Sequence, residues 1–113
     1  MARPNFIELP TRDLAASQRF FEQVFGMQMT GFGPTYACTM TGDVDLGLQA
    51  DQNDATKAPL PVIEVKDLNA TLAAVSAAGS TVTKPIFGFP GGRRFHFLDP
   101  SGNELAAMQV DPD

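Results

Sequence analysis

The chain has 113 residues, 43% of them hydrophobic and 19% charged, with eight Lys or Arg against thirteen Asp or Glu. That length suits one domain, and the apolar fraction is too high for a disordered chain. A net charge of −5 argues against a nucleic-acid binder, and no apolar run approaches the ~20 residues of a membrane span. The first five residues (Met1-Ala2-Arg3-Pro4-Asn5) hold no hydrophobic signal core, which predicts a cytoplasmic protein. Cys38 is the single cysteine, so neither an internal disulfide nor a CxxC metal pair can form.

In chain order, Phe6 to Thr11 alternates as a strand. Ile7, Leu9 and Thr11 fall on one face, Phe6, Glu8 and Pro10 on the other. Asp13 stands where a helix N-cap belongs, Leu14, Phe21, Val24 and Phe25 form an apolar stripe, and Gly26 ends the helix. Three short strands follow, at 27–31, 35–41 and 44–49. Residues 50–59 are polar and aperiodic, a linker. Then the pattern restarts. Leu60 to Val65 is a strand, Asp67 an N-cap, Leu68, Leu72 and Val75 a helical stripe, and Gly79 a stop. Strands are predicted at 80–83, 93–98 and 104–110, with a loop over 84–92.

Arg12-Asp13-Leu14-x-Ala16 returns as Lys66-Asp67-Leu68-x-Ala70, 54 residues later. Strand, helix and three strands, twice over, is an internal duplication. The predicted fold class is therefore α+β. Two tandem βαβββ modules, at about 5–49 and 60–110, would build a concave half-barrel sheet within one domain spanning 1–113. A helix covers only one face of each module's sheet, which leaves the other face for a small ligand.

Three segments carry a family resemblance: Glu8-Leu9-Pro10-Thr11-Arg12-Asp13-Leu14, the helix end Phe21-x-x-x-Phe25-Gly26, and Phe95-His96-Phe97-Leu98-Asp99-Pro100-Ser101-Gly102-Asn103-Glu104-Leu105. The chain resembles the vicinal oxygen chelate superfamily, which includes glyoxalase I, bleomycin-resistance proteins and extradiol dioxygenases. The likeness runs from about Phe6 to Val110 and speaks for the fold rather than the chemistry. Metal-dependent members hold a divalent ion with His, Gln or Glu from strands one, four, five and eight. Carried onto this sequence, those positions fall on Phe6, on Gly47 (or Asp45 in a register shifted by two), on or beside Leu60, and on Ala106. Asp45 is the only donor among them, so the resemblance implies no metal and no other cofactor.

The candidate ligand-binding residues are Phe6, Glu8, Tyr36, Arg94 and His96. Arg94 and His96 are two apart and share a strand face. The turn Asp99-Pro100-Ser101-Gly102 suits a three-residue loop with a glycine bulge, which sets His96 opposite Ala106 and turns Phe95 and Phe97 toward the second helix. A two-residue loop would reverse the faces. Arg94 would anchor an anionic or carbonyl-bearing ligand, with His96 as donor or proton carrier; otherwise both are solvated or paired with a carboxylate at the sheet margin. Glu8 is a candidate general base, or else a salt-bridge partner. Tyr36, Cys38 and Met40 share one wall, Cys38 as packing rather than nucleophile. The loop Pro85 to Gly92 serves either as a lid or as a core plug through Phe87 and Phe89.

The expected function is binding of a small organic molecule by a homodimer. A glyoxalase-like lyase, isomerase or dioxygenase-type enzyme with an atypical or metal-free site is the alternative, and a subunit devoted to dimerisation is a third. No catalytic residue is assigned. Membrane and nucleic acid are not expected partners. The acidic balance favours a cationic ligand, but Arg93 and Arg94 favour an anionic one, and nearby charges outweigh distant screened ones.

Overall fold

The computed structural model describes residues 2–111. The elements are β1 (Arg3–Pro10), α1 (Leu14–Phe25), β2 (Met29–Gly31), β3 (Tyr36–Thr39), β4 (Asp45–Gln49), β5 (Leu60–Glu64), α2 (Leu68–Ala77), β6 (Val82–Phe89), β7 (Gly92–Leu98) and β8 (Glu104–Val110). Strand, helix and three strands occur twice, as the repeated cap motif predicts. The chain divides into two compact units, Phe6–Leu60 and the residues from 61 onward together with the first five positions.

In the first unit the strands run β2-β3-β4-β1. The two hairpin pairs are antiparallel and β1 lies parallel to β4, with Glu8 opposite Gly47. Helix α1 starts where the Asp13 carboxylate accepts the Ala16 N–H at 3.0 Å, and it stops at Gly26, whose φ of 69° is left-handed. It packs on β3 and β4. The apolar stripe of α1 is only partly covered: Leu14 and Phe21 are half-buried, Val24 and Phe25 are 58% and 62% exposed, and no residue of the helix is fully buried. The rings of Phe20, Phe21 and Phe25 pack on one another instead, at centroid distances of 5.3 to 6.3 Å. On β1, Ile7 lies exposed while Glu8, on the opposite face, is buried.

The second unit repeats the connectivity as β5-β8-β7-β6, with β5 parallel to β8 and both hairpins antiparallel. Asp67 caps α2 through the Ala70 N–H at 3.0 Å, and the Gln109 side-chain carbonyl accepts the Leu68 N–H at 2.8 Å, which ties the helix start to β8. Leu68, Phe95 and Ala107 form a buried cluster flanked by Val65, Leu72, Val75, Val82, Ile86 and Phe97. The predicted three-residue turn is present. Asp99 N–H donates to the Asn103 carbonyl at 2.9 Å, Gly102 takes φ 85°, and His96 pairs with Ala106.

The predicted loop over 84–92 is instead strand. Residues 82–89 pair with β7, and only Pro90-Gly91 turns, with Gly91 at φ 102°. The register slips between Val82 and Lys84 and again between Lys84 and Phe87. These bulges interrupt the two-residue alternation, which makes the segment read as irregular. The segment is a paired strand and not a free connection. Phe95 is fully buried beneath α2; Phe95→Ala should cost about 3–5 kcal/mol in urea unfolding, whereas the exposed Phe20→Ala should stay below about 1 kcal/mol.

Candidate functional site

The residues that the sequence singles out are drawn from both units. In the first unit Phe6, Glu8 and Tyr36 come together around Gly47. The Tyr36 hydroxyl donates to Glu8 Oε1 at 2.9 Å, and Glu8 is 2% exposed. Gly47, on β4, stands across from Glu8 on β1 and from Cys38 on β3. A Cβ on Gly47 would lie 2.5 Å from the Tyr36 hydroxyl and 2.6 Å from the Phe6 ring. Glycine is thus the residue that lets the tyrosine and phenylalanine close over this strand. Cys38 is half-buried, and burial together with the Asp45 charge pushes its thiol pKa up, which suits packing rather than nucleophilic attack. Met40 lies beyond this wall, exposed.

The positions corresponding to the metal ligands of the resembled family carry no donor set. Phe6, Gly47, Leu60 and Ala106 have no side-chain N or O. Asp45 pairs with Phe6 across β1 and β4, but its carboxylate is committed to the preceding turn. Oδ1 accepts from Thr39 Oγ1 at 2.7 Å and from the Thr41 N–H and hydroxyl at 2.8 Å, and Oδ2 accepts from the Gly42 N–H at 3.0 Å. Burial alone would raise the Asp45 pKa; these hydrogen bonds outweigh it and hold the carboxyl below the usual range. Among the described residues no group of three or more His, Cys, Asp or Glu is placed to hold a metal ion. The residues present do not fit a divalent ion bound in the family's manner.

In the second unit β7 sends Phe95 and Phe97 to the helix side and Arg94 and His96 to the other, as the turn chemistry predicts. The chain's only histidine is 1% exposed. Its Nδ1 lies 2.9 Å from Glu104 Oε2, which also accepts from Thr83 Oγ1 at 3.1 Å. The ring lies 5.8 Å from the Phe87 ring, while Lys84 Nζ and Arg94 Cζ stand 4.6 and 5.3 Å from the Phe87 centroid. Burial lowers the His96 pKa most; the Glu104 hydrogen bond opposes this, and the Arg94 and Lys84 charges lower it further. The imidazole is therefore neutral at pH 7. Arg93, expected beside Arg94, points the other way and binds Asp111 through Nε at 2.7 Å. Period-two geometry separates adjacent residues in a strand.

Lys84 and Glu104 escape the sequence reading. Glu104 was findable, because it stands two residues from Ala106, the cross-strand partner of His96. Lys84 was not. It sits in the segment read as a loop, and only the bulge between Lys84 and Phe87 lets two side chains three residues apart face His96 and Arg94 together.

Comparison with known proteins now fixes the family. The model for the Glyoxalase/Bleomycin resistance protein/Dioxygenase superfamily matches residues 3–107. The chain belongs to this superfamily. It is 26% identical over 119 residues to "Putative glyoxylase CFP32" from Mycobacterium bovis and from Mycobacterium tuberculosis, covering 96% of this chain but only 46% of those relatives. The chain thus spans about half their length. Among solved structures, methylmalonyl-CoA epimerase from Mycobacterium tuberculosis matches at TM-score 0.75 and 14% identity, over 96% of this chain and 88% of the other. The Mn(II)-bound glyoxalase from Novosphingobium aromaticivorans matches at 0.71 and 18%, over 100% of this chain and 43% of the other. A superfamily member from Vibrio splendidus matches at 0.70 and 21%, over 98% and 100%. At these identities the structures establish the shared fold.

Two outcomes follow from this geometry. Gly47→Ala should force Tyr36 or Phe6 to shift and cost roughly 1–3 kcal/mol in denaturant unfolding. For His96, the folded pKa lies below the unfolded value of about 6.5. Below that pH the unfolded chain takes up a proton that the folded chain refuses, so stability falls as pH drops from 7 toward 5.5, by at most about 1.4 kcal/mol per unit. Unfolding across this window should show the slope in the wild type and lose it in His96→Gln.

Proposed function

We propose that this chain is a small-molecule-binding, glyoxalase-like protein that holds its ligand without the divalent ion of metal-dependent members. Its candidate ligand contacts are Phe6, Glu8 and Tyr36 in one unit and Arg94 and His96 in the other. The observation that carries this reading is the donor chemistry. Phenylalanine, glycine, leucine and alanine stand at the four ligand positions, and the one nearby carboxylate, Asp45, already accepts four hydrogen bonds from Thr39 at the end of β3 and from Thr41 and Gly42 of the following turn. Lys84 and Arg94 favour an anionic ligand in the second unit. No helix among the described residues is long and apolar enough to cross a membrane.

A homodimer belongs to this reading. Phe20, Val24 and Phe25 expose an apolar stretch of α1, and the mycobacterial relatives are about twice as long as this chain. A second reading, a metal-free lyase or isomerase, draws support from one feature. His96 is neutral and oriented by Glu104, the arrangement a general base requires. The metal content of protein purified without chelator or affinity nickel, followed by equimolar Ni, Co, Zn, Mn or Fe, separates the readings. Substoichiometric, weak binding of every ion is the expected result. Tight binding of one ion per chain would replace the metal-free reading with an enzyme built on an unusual ligand set.

A further inference from the structure

Nδ1 of His96 meets the Glu104 carboxylate at 2.9 Å, and a carboxylate can only accept. The proton of the neutral ring therefore sits on Nδ1, and a second proton can go only to Nε2. That atom is closed to solvent and has no hydrogen-bond partner in the protein. A proton added there would make a charged donor with neither an acceptor nor hydration, a state that folded proteins avoid. On the same face of the unit, β6 carries Lys84, β7 Arg94 and β8 Glu104. One strand further, β5 carries Glu64, which lies 3.6 Å from Arg3. Burial opposes a charged ring most, Lys84 and Arg94 oppose it further, and Glu104 favours it.

The strands around the imidazole are not equally held. β7 and β8 pair without interruption from Gly92 to Leu98 and bury Phe95, Ala106, Ala107 and Met108. β6 is the outer strand, pairs only with β7 and slips register twice. None of its residues is fully buried, and Pro85 has no N–H for the ladder. Yet β6 brings the Phe87 ring to 5.8 Å from the imidazole and the Thr83 hydroxyl to 3.1 Å from Glu104. The strand that lies against the histidine is thus the one whose release exposes least.

We propose that His96 is a proton-operated latch: uptake of a proton at Nε2 releases β6 from β7 while β7, β8 and α2 stay folded. In the released form Nε2–H donates to water and Nδ1–H keeps its bond to Glu104, so an ion pair holds β7 to β8. One proton passes from water to Nε2 and returns when the pH rises; no covalent bond changes. The latch goes beyond the ligand-binding reading and stands without it. In the released form the ring titrates near its ordinary value of about 6.5, in the closed form below it. Above that pH both forms are neutral and the released fraction is constant. Below it only the released form takes the proton, and its fraction climbs toward about tenfold per pH unit. His96 is the chain's only histidine, so among side chains the window from pH 7.5 to 5.5 belongs to it.

Amide hydrogen exchange of the full chain, followed by NMR across that window and corrected for intrinsic rates, tests the latch. Protection of the β6 amides bonded to β7 should fall about five- to tenfold between pH 7.5 and 5.5. Their exchange should be nearly independent of low urea, while amides of α2 and β8 exchange more slowly and follow urea. In His96→Gln, which cannot take the proton, the pH dependence in β6 should vanish. Long-range 1H–15N spectra of the wild type at pH 7.5 should show the ring proton on Nδ1. Flat β6 protection across the window overturns the proposal, as does an Nε2–H tautomer. So does β6 protection equal to that of α2 and β8 with the same urea dependence, since the proton would then act only on global unfolding. A pH dependence that His96→Gln retains assigns the effect to another group and overturns it as well. The wild-type series and the tautomer decide the matter even if His96→Gln does not fold.

Discussion

A β-strand offers its neighbours two faces, and successive side chains must alternate between them. In β7 this constraint divides one seven-residue strand into two chemistries. Phe95 is wholly buried against Leu68 of α2, with Phe97 packed on the same cluster, so the strand cannot rotate without exposing a core aromatic. Arg94 and His96 are thereby committed to the face without a helix. The position of the imidazole follows from the packing of its neighbours. Glu104 reaches it because β8 runs antiparallel at the register set by the Asp99 to Asn103 turn, where the Asp99 carboxylate accepts the N–H groups of Ser101 and Asn103 at 2.9 Å. A turn of three residues thus decides which carboxylate meets Nδ1 of a histidine farther along the strand.

The same alternation, broken on purpose, supplies the remainder of that face. A regular strand would place Lys84 and Phe87 on opposite sides. The extra residue between them, next to a proline that has no N–H to give to the ladder, restores both to the side of Arg94. The outer strand of the unit is at once irregular and lysine-bearing, features that also discourage pairing with another sheet edge.

The first unit uses the fold differently. Its helix buries no residue completely, and its most enclosed polar group is Glu8, held by the Tyr36 hydroxyl above a glycine that leaves room for it. Across the family this strand pair serves metal binding in some members. Here Phe6 fills space beside Gly47, and Asp45 faces its own turn, accepting from threonine hydroxyls and backbone N–H groups. A carboxylate so fully engaged would have to surrender four hydrogen bonds before it could bind a cation.

Much of this was legible in the amino-acid order. The caps at Asp13 and Asp67, the repeat they mark, the glycine stop at Gly26 and the Asp99 turn are local, because each depends on one side chain meeting a backbone group within four residues. From them the sequence of elements along the chain, the register of β7 on β8, and the face of His96 follow. Other features were decided only in three dimensions. The strand over 82–89 reads as a loop because its bulges erase the period of two, so Lys84 was invisible as a neighbour of His96. The exposure of Val24 and Phe25 could not be foreseen, since an apolar stripe says that a helix has a face to bury and nothing about how far the sheet beneath extends. Sequence determined the capped, repeated elements through contacts a few residues long. Tertiary structure decided which polar groups lose water and what they meet there, because burial depends on residues far apart in the chain.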